Sequence, residues 1–150
     1  MKPVVLFLCT GNSCRSQMAE GWLRHLAGNR FDALSAGTHP VGVNPRAIAV
    51  MAEAGVDITP HRSKHVEEVL GRQPDYVITV CDRAKDACPV VPAGTAVLHW
   101  SFADPAEAVG SDDECAKVFR RVRDEIARRI IDWLKAENGG LQTPMPSSGS

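Results

Sequence analysis

Apolar residues fall along this chain in two patterns, short continuous runs and longer stripes of helical period. Four runs predict strands: Val4 to Leu8, Asp32 to Ala36, Tyr76 to Cys81 and Ala96 to His99. The first and third are nearly unbroken in apolar or β-branched residues, as in strands of a parallel sheet covered on both faces. Between the runs, Met18, Ala19, Trp22, Leu23 and Leu26 share one face of a helix that opens near Arg15. A second helix has Asn44 as N-cap, Pro45 at its first position, inward-facing Ala47, Ile48, Met51 and Ala52, and Gly55 as its stop. A shorter third helix carries Val66, Val69 and Leu70. The last opens on Ser111-Asp112-Asp113-Glu114, a capping-box pattern, and continues as a stripe through Phe119, Val122, Ile126, Ile130 and Leu134.

Alternation of strand and helix predicts an α/β fold with a parallel sheet and right-handed crossovers. Ligands in such sheets bind beyond the carboxyl ends of the strands. Cys9 ends the first strand, Cys81 the third, and Asp104 follows the fourth, so three reactive groups are expected at one edge. A single catalytic domain of residues 1–138 is expected. A flexible tail, 139–150, would follow where the chain turns Gly, Pro and Ser rich after Asn138.

Composition narrows the function classes. The chain has 150 residues and a formal net charge of -1, which gives no reason to expect nucleic acid or an anionic membrane as partner. Arg120, Arg121 and Arg123 lie among acids and read as a solvated helix face. The apolar run after Lys2 stops at Cys9, too short for a signal-peptide core or a membrane span, so a cytoplasmic and monomeric protein is expected. Five cysteines in that compartment are expected to be reduced, and their spacing to serve catalysis or metal binding rather than structural disulfides. Cys-x6-Cys is not usual zinc spacing, and His25, His39, His61 and His65 show no metal pattern, so no metal is expected.

The segment Cys9-Thr10-Gly11-Asn12-Ser13-Cys14-Arg15-Ser16 carries the chemistry. A thiol at a helix amino terminus beside a cation is biased toward thiolate. Backbone N–H groups of such a loop can form an anion nest, and Arg15 offers a planar fork of donors for two oxygens of a tetrahedral anion. Ser16 can hydrogen-bond the thiolate, while Gly11 and Asn12 tolerate the positive φ of a tight cradle. The opposing reading is a buried strand-end cysteine followed by a surface arginine. It neglects the placement of the motif between a buried strand and an amphipathic helix. Cys14 and Cys115 read as packing residues, as do His99 and Trp100.

The run from Cys9 to Gly21, Ser35-Ala36-Gly37-Thr38, Val80-Cys81-Asp82, Cys88-Pro89 and His99-Trp100-Ser101-Phe102-Ala103-Asp104-Pro105-Ala106 resembles the thioredoxin-coupled arsenate reductases built on the low-molecular-weight protein tyrosine phosphatase fold. That resemblance implies a three-layer sandwich with a four-stranded parallel sheet, order 2-1-3-4, flanked by helices. It also implies roles. Arg15 and the loop from Thr10 to Ser16 bind arsenate, with phosphate or sulfate as competing anions. Cys9 attacks arsenic, and Asp104 protonates the leaving oxygen. Cys81 then attacks Cys9, arsenite leaves, and Cys88 moves the disulfide to Cys81–Cys88. No tightly bound cofactor is implied, since reducing equivalents come from thioredoxin; a glutaredoxin or mycoredoxin donor stays open. If residues 82–87 formed a full helix, Cys81 and Cys88 would lie about 10 Å apart, beyond disulfide range, so the relay implies movement there. Some members bind potassium at positions matching Asn12, Glu20 and Ser35 with two downstream residues. Those positions are Arg62 and Lys64 here, so Lys64 is expected to replace the ion against Glu20.

Two other functions fit the loop. A low-molecular-weight tyrosine phosphatase would share Cys9, Arg15 and Asp104, but Pro105 is followed by Ala106-Glu107-Ala108 where those phosphatases carry aromatic residues. Weak activity on small aryl phosphates is expected all the same. A thiol-based oxyanion-binding module without turnover would leave Asp104 without a purpose.

Overall fold

The computed structural model describes residues 2–81 and 94–142, with side chains through 137. The strands β1 (Val4–Cys9), β2 (Asp32–Gly37), β3 (Tyr76–Thr79) and β4 (Ala96–His99) form one sheet in the order β2-β1-β3-β4. All three pairings are parallel, with Leu6 opposite Leu34 on one side and Val77 on the other. The predicted order is thus borne out. Every residue of central β1 is buried, which explains the unbroken apolar run.

Helices α1 (Arg15–Ala27), α2 (Pro45–Glu53), α3 (Glu67–Leu70) and α4 (Asp112–Gln142) flank the sheet. Phe119, Val122, Ile126 and Ile130 are buried in α4, in a core shared with Met18, Ala19 and Leu23 of α1. The expected caps form. Asn44 Oδ1 accepts from Arg46 N at 2.8 Å, and Gly55 takes a positive φ just beyond α2. Ser111 Oγ accepts from Glu114 N at 3.2 Å while Glu114 Oε1 accepts from Ser111 N at 3.1 Å, a reciprocal capping box. Helix α4 runs on to Gln142, past the 138/139 boundary expected from Asn138-Gly139-Gly140.

The basic stretch at Arg120 is not simply a solvated face. Arg123 is only 13% exposed in its side chain and donates to Val50 O at 2.8 Å, tying α4 to α2. Its own carbonyl accepts from Trp22 Nε1 at 3.2 Å, tying α4 to α1.

Gly37 closes β2 against the chain leaving β1. A Cβ there would stand 2.5 Å from Thr10 O and 2.9 Å from Asn12 N, both backbone atoms of the loop that follows β1. Gly37→Ala is therefore expected to displace that loop and to lower the free energy of unfolding by about 1–3 kcal/mol. Urea denaturation measures it, and an unchanged midpoint would show that the loop yields freely.

Candidate functional site

The loop from Thr10 to Cys14 hangs between the end of β1 and the first residue of α1. Its carbonyls are taken from outside. Thr10 O accepts from His39 N at 2.8 Å, Gly11 O from Val41 N at 3.0 Å and Ser13 O from Asn44 N at 3.1 Å. Gly11 O also accepts from Ser63 Oγ at 3.0 Å, and Asn12 O from Gln17 Nε2 at 3.1 Å. With its carbonyls satisfied on the outer side, the loop can turn amides toward the concave side, where α1 adds its positive end. The first turn of α1 holds no acidic side chain to compete with an anion.

Asn12 adopts φ 47, the left-handed conformation expected of it. Gly11 does not have positive φ; its value is room. A Cβ there would lie 3.0 Å from Val41 Cγ2, so glycine lets the 39–44 segment lie against the loop. Ser16 Oγ accepts from Asn12 Nδ2 at 2.8 Å, which fixes the hydroxyl expected to face the thiol.

Inside the cradle, Cys9, Cys14, Arg15, Cys81 and Asp104 line one cavity of about 420 Å³. Arg15 Nη1 donates to Phe102 O at 3.1 Å, and Nη2 lies 3.5 Å from Asp104 Oδ2. The buried Arg15 Nε–H has no partner among the described residues. Asp104 caps the short 3-10 turn Pro105–Glu107 by accepting from Ala106 N at 3.0 Å. The structure thus brings together Cys9, Arg15, Cys81 and Asp104. Cys88 lies outside the described residues.

Cys9 and Cys81 are buried side by side in the lining of this cavity, and Thr10 Oγ1 lies 3.5 Å from Cys81 Sγ. Hydrogen bonding to the neighbouring Cys81 thiol, and then burial, raise the Cys9 thiol above its ordinary value. Arg15 and the Thr10 backbone pull the other way. Burial also pushes the Cys14 thiol up, to about 11. Cys115 packs at the start of α4, as expected.

Behind the loop lies a polar layer in which Asn12, Glu20, Ser35 and Lys64, named from the resemblance, are joined by Gln17, Arg24 and His61, which no sequence motif disclosed. His61 Nδ1–H donates to Gln17 Oε1 at 2.9 Å, and its Nε2 accepts from Arg24 Nη1 at 2.7 Å, contacts that fit one neutral tautomer. Burial lowers the His61 pKa, in keeping with that form, against the pull of Glu20. Glu20, 5% exposed, accepts from Ser35 Oγ and Arg24. Lys64 Nζ lies 3.8 Å from Glu20 Oε1, while Lys64 N donates to Asn12 Oδ1 at 3.0 Å. Arg62 turns outward to Glu68. No cluster of three His, Cys, Asp or Glu suited to a metal ion occurs among the described residues.

A thiol, a half-buried arginine and an aspartate that line one cavity beside the loop compose a phosphatase-type oxyanion site. The chain belongs to the low molecular weight phosphotyrosine protein phosphatase family, whose pattern it matches over residues 4–142. Within that family it is similar to proteins named for arsenate. The arsenate reductase of Halalkalibacterium halodurans is 50% identical over 138 residues, 92% of this chain and 98% of the relative. A solved arsenate reductase in the phosphate binding state has TM-score 0.70 at 34% identity, covering 89% of this chain and 97% of that one. The Corynebacterium glutamicum thioredoxin-dependent arsenate reductase has TM-score 0.68 at 30% identity, covering 91% and 63%. These likenesses bear out the resemblance read from the sequence.

Because the fold favours the neutral Cys14 thiol, the native state holds that proton more tightly than the unfolded chain does. The stabilisation is whole below the ordinary value of 9.0 and is lost as pH rises toward about 11. Stability followed by denaturation across that window is expected to fall less steeply in Cys14→Ala than in the parent. Equal slopes would mean that Cys14 does not titrate as its burial implies.

Proposed function

We propose that this protein is an arsenate reductase that uses a three-thiol relay. The contact of Cys81 with Cys9 at the base of an oxyanion pocket carries the reading. Arg15 Nε–H and the loop amides receive arsenate, and the Cys9 thiolate attacks arsenic as an oxygen leaves, protonated by Asp104 to water. Cys81 then attacks Cys9 sulfur. The Cys9–Cys81 disulfide forms, and the electron pair of the sulfur–arsenic bond leaves with arsenic, now arsenite. Two thiols supply the two electrons. Cys88 attacks Cys81 and carries the disulfide outward to a thioredoxin-type reductant, in a cytoplasmic setting.

With its pKa raised above the ordinary value, the Cys9 thiol must lose its proton before attack. Arg15 and the amide cradle, which favour negative charge, are the groups that offset burial. Among the described residues, the pocket lining includes Val41, Ala106 and Glu107 and holds no aromatic ring. That lining suits a small inorganic anion better than a phosphotyrosyl side chain, which leaves aryl phosphate hydrolysis as a weak side activity.

The ammonium of Lys64, 12% exposed in its side chain, serves in this reading as a resident cation for Glu20. An isolated buried carboxylate would be costly, and Lys64 and Arg24 meet it with positive charge.

With arsenate, thioredoxin, thioredoxin reductase and NADPH, the protein is expected to consume NADPH. Cys88→Ser is expected to stop turnover while the first disulfide still forms; efficient phosphotyrosine hydrolysis without arsenate turnover would establish the phosphatase instead. Exchanging potassium for a bulky organic cation is expected to leave turnover and melting temperature unchanged. A strong potassium dependence of either would remove Lys64 from the role given to it.

A further inference from the structure

We propose that the reduced Cys9–Cys81 pair is also a capture site for trivalent arsenicals, arsenite or an organoarsine oxide, held between the two sulfurs. The proposal rests on the reading above for the formation of arsenic(III) in this pocket, but the capture itself requires no turnover.

The two thiols come from adjacent strands. Cys9 ends β1, Cys81 follows β3, and Val80 N donates to Leu8 O at 2.9 Å just before them. Neighbouring strands lie about 4.8 Å apart, so side chains leaving their ends toward one cavity meet. They do meet: both line the same cavity, 4% and 5% exposed, with Thr10 Oγ1 against Cys81. A dithiol held this way presents its second sulfur at high effective concentration once the first has bound.

The chemistry needs neither an oxidant nor a net charge. Arsenous acid is neutral, and each thiol gives its proton to one arsenic-bound hydroxyl. A sulfur–arsenic bond forms, an arsenic–oxygen bond breaks, and water leaves. Two such exchanges release two waters and leave every oxidation state unchanged. The remaining position on arsenic keeps its hydroxyl or its organic group. This matches a site with two close sulfurs, since no third ligating side chain completes a cluster among the described residues. Soft thiol ligands suit this thiophilic species.

Burial and the mutual hydrogen bond keep a proton on the pair, which hinders attack on an oxyanion and not this exchange with a neutral molecule. Cys14 lines the same cavity but is turned to Ser13 Oγ at 3.8 Å. Capture uses the sulfur that must attack arsenate, so arsenate and trivalent arsenic exclude one another. The product of the proposed reaction thereby restrains the reduced enzyme.

The test uses the full chain, reduced with a phosphine, freed of reductant and oxyanions, and titrated with phenylarsine oxide and separately with arsenite. Intact mass and thiol counting are expected to show one arsenic per chain and two thiols lost, reversed by a dithiol but not by a monothiol. Alkylation and peptide mapping of the parent are expected to find Cys9 and Cys81 protected, which requires no variant to fold. Cys81→Ser is expected to weaken capture by roughly 10²-fold, and Cys115→Ser to leave it unchanged. Protection of Cys81 with Cys88 in place of Cys9, or the loss of a single thiol, would overturn the proposal. Capture without arsenate turnover would overturn the reductase reading alone, and turnover without capture this proposal alone.

Discussion

The hydrogen bonds that hold the carbonyls of residues 10–13 from outside are the constraint on which the site depends. A loop of this kind has donors and acceptors in equal number, and a cradle for an anion must separate them. Here His39, Val41 and Asn44 supply three backbone N–H groups to the outer side, and Ser63 and Gln17 add side-chain donors. Buried polar groups must be paired, so a carbonyl satisfied outside has no reason to turn in. The stretch after β2 therefore shapes the anion loop without entering it. Gly11 and Gly37 are small because that stretch and the loop run in contact.

The layer behind the loop converts this arrangement into a rigid one. Arg24, His61, Gln17 and Asn12 form a chain of hydrogen bonds in which each group has one workable polarity. Glu20 anchors its far side, held by Ser35, Arg24 and Lys64. Removing one member would leave a buried donor, acceptor or charge unmatched. That gives the residues of this layer influence on Cys9 geometry although they do not line the pocket. Lys64 joins the layer to the loop twice, through its ammonium near Glu20 and its amide on Asn12.

What the sequence disclosed follows from range. Strands, caps and the anion loop rest on residues close in sequence, and so the runs, Asn44-Pro45 and Ser111-Asp112-Asp113-Glu114 could be read directly. The partnerships of Gln17 with His61 and of Arg123 with Val50 join residues 44 and 73 positions apart, and no local pattern marks them. Gly11 shows the same limit. A glycine in a tight loop suggests positive φ, but only the packed neighbour Val41 reveals that the missing Cβ is the point. Sheet order also lay beyond periodicity and came through the resemblance of several separated segments, which the pairing of β1 with both β2 and β3 bears out.

The pairing of Cys9 with Cys81 bears on phosphatase and reductase differently. For a phosphatase, the nucleophile gains from every influence that lowers its pKa, and Arg15 and the Thr10 backbone act in that direction. A second buried thiol in hydrogen-bond contact acts in the opposite direction, retaining a proton and hindering attack. Nothing in phosphate ester hydrolysis compensates for that hindrance, because water resolves the intermediate. A reductase needs the second sulfur within reach of the first as soon as arsenic is bound, and the hindrance is then the consequence of having it there. The same contact that slows the first step makes the second one short.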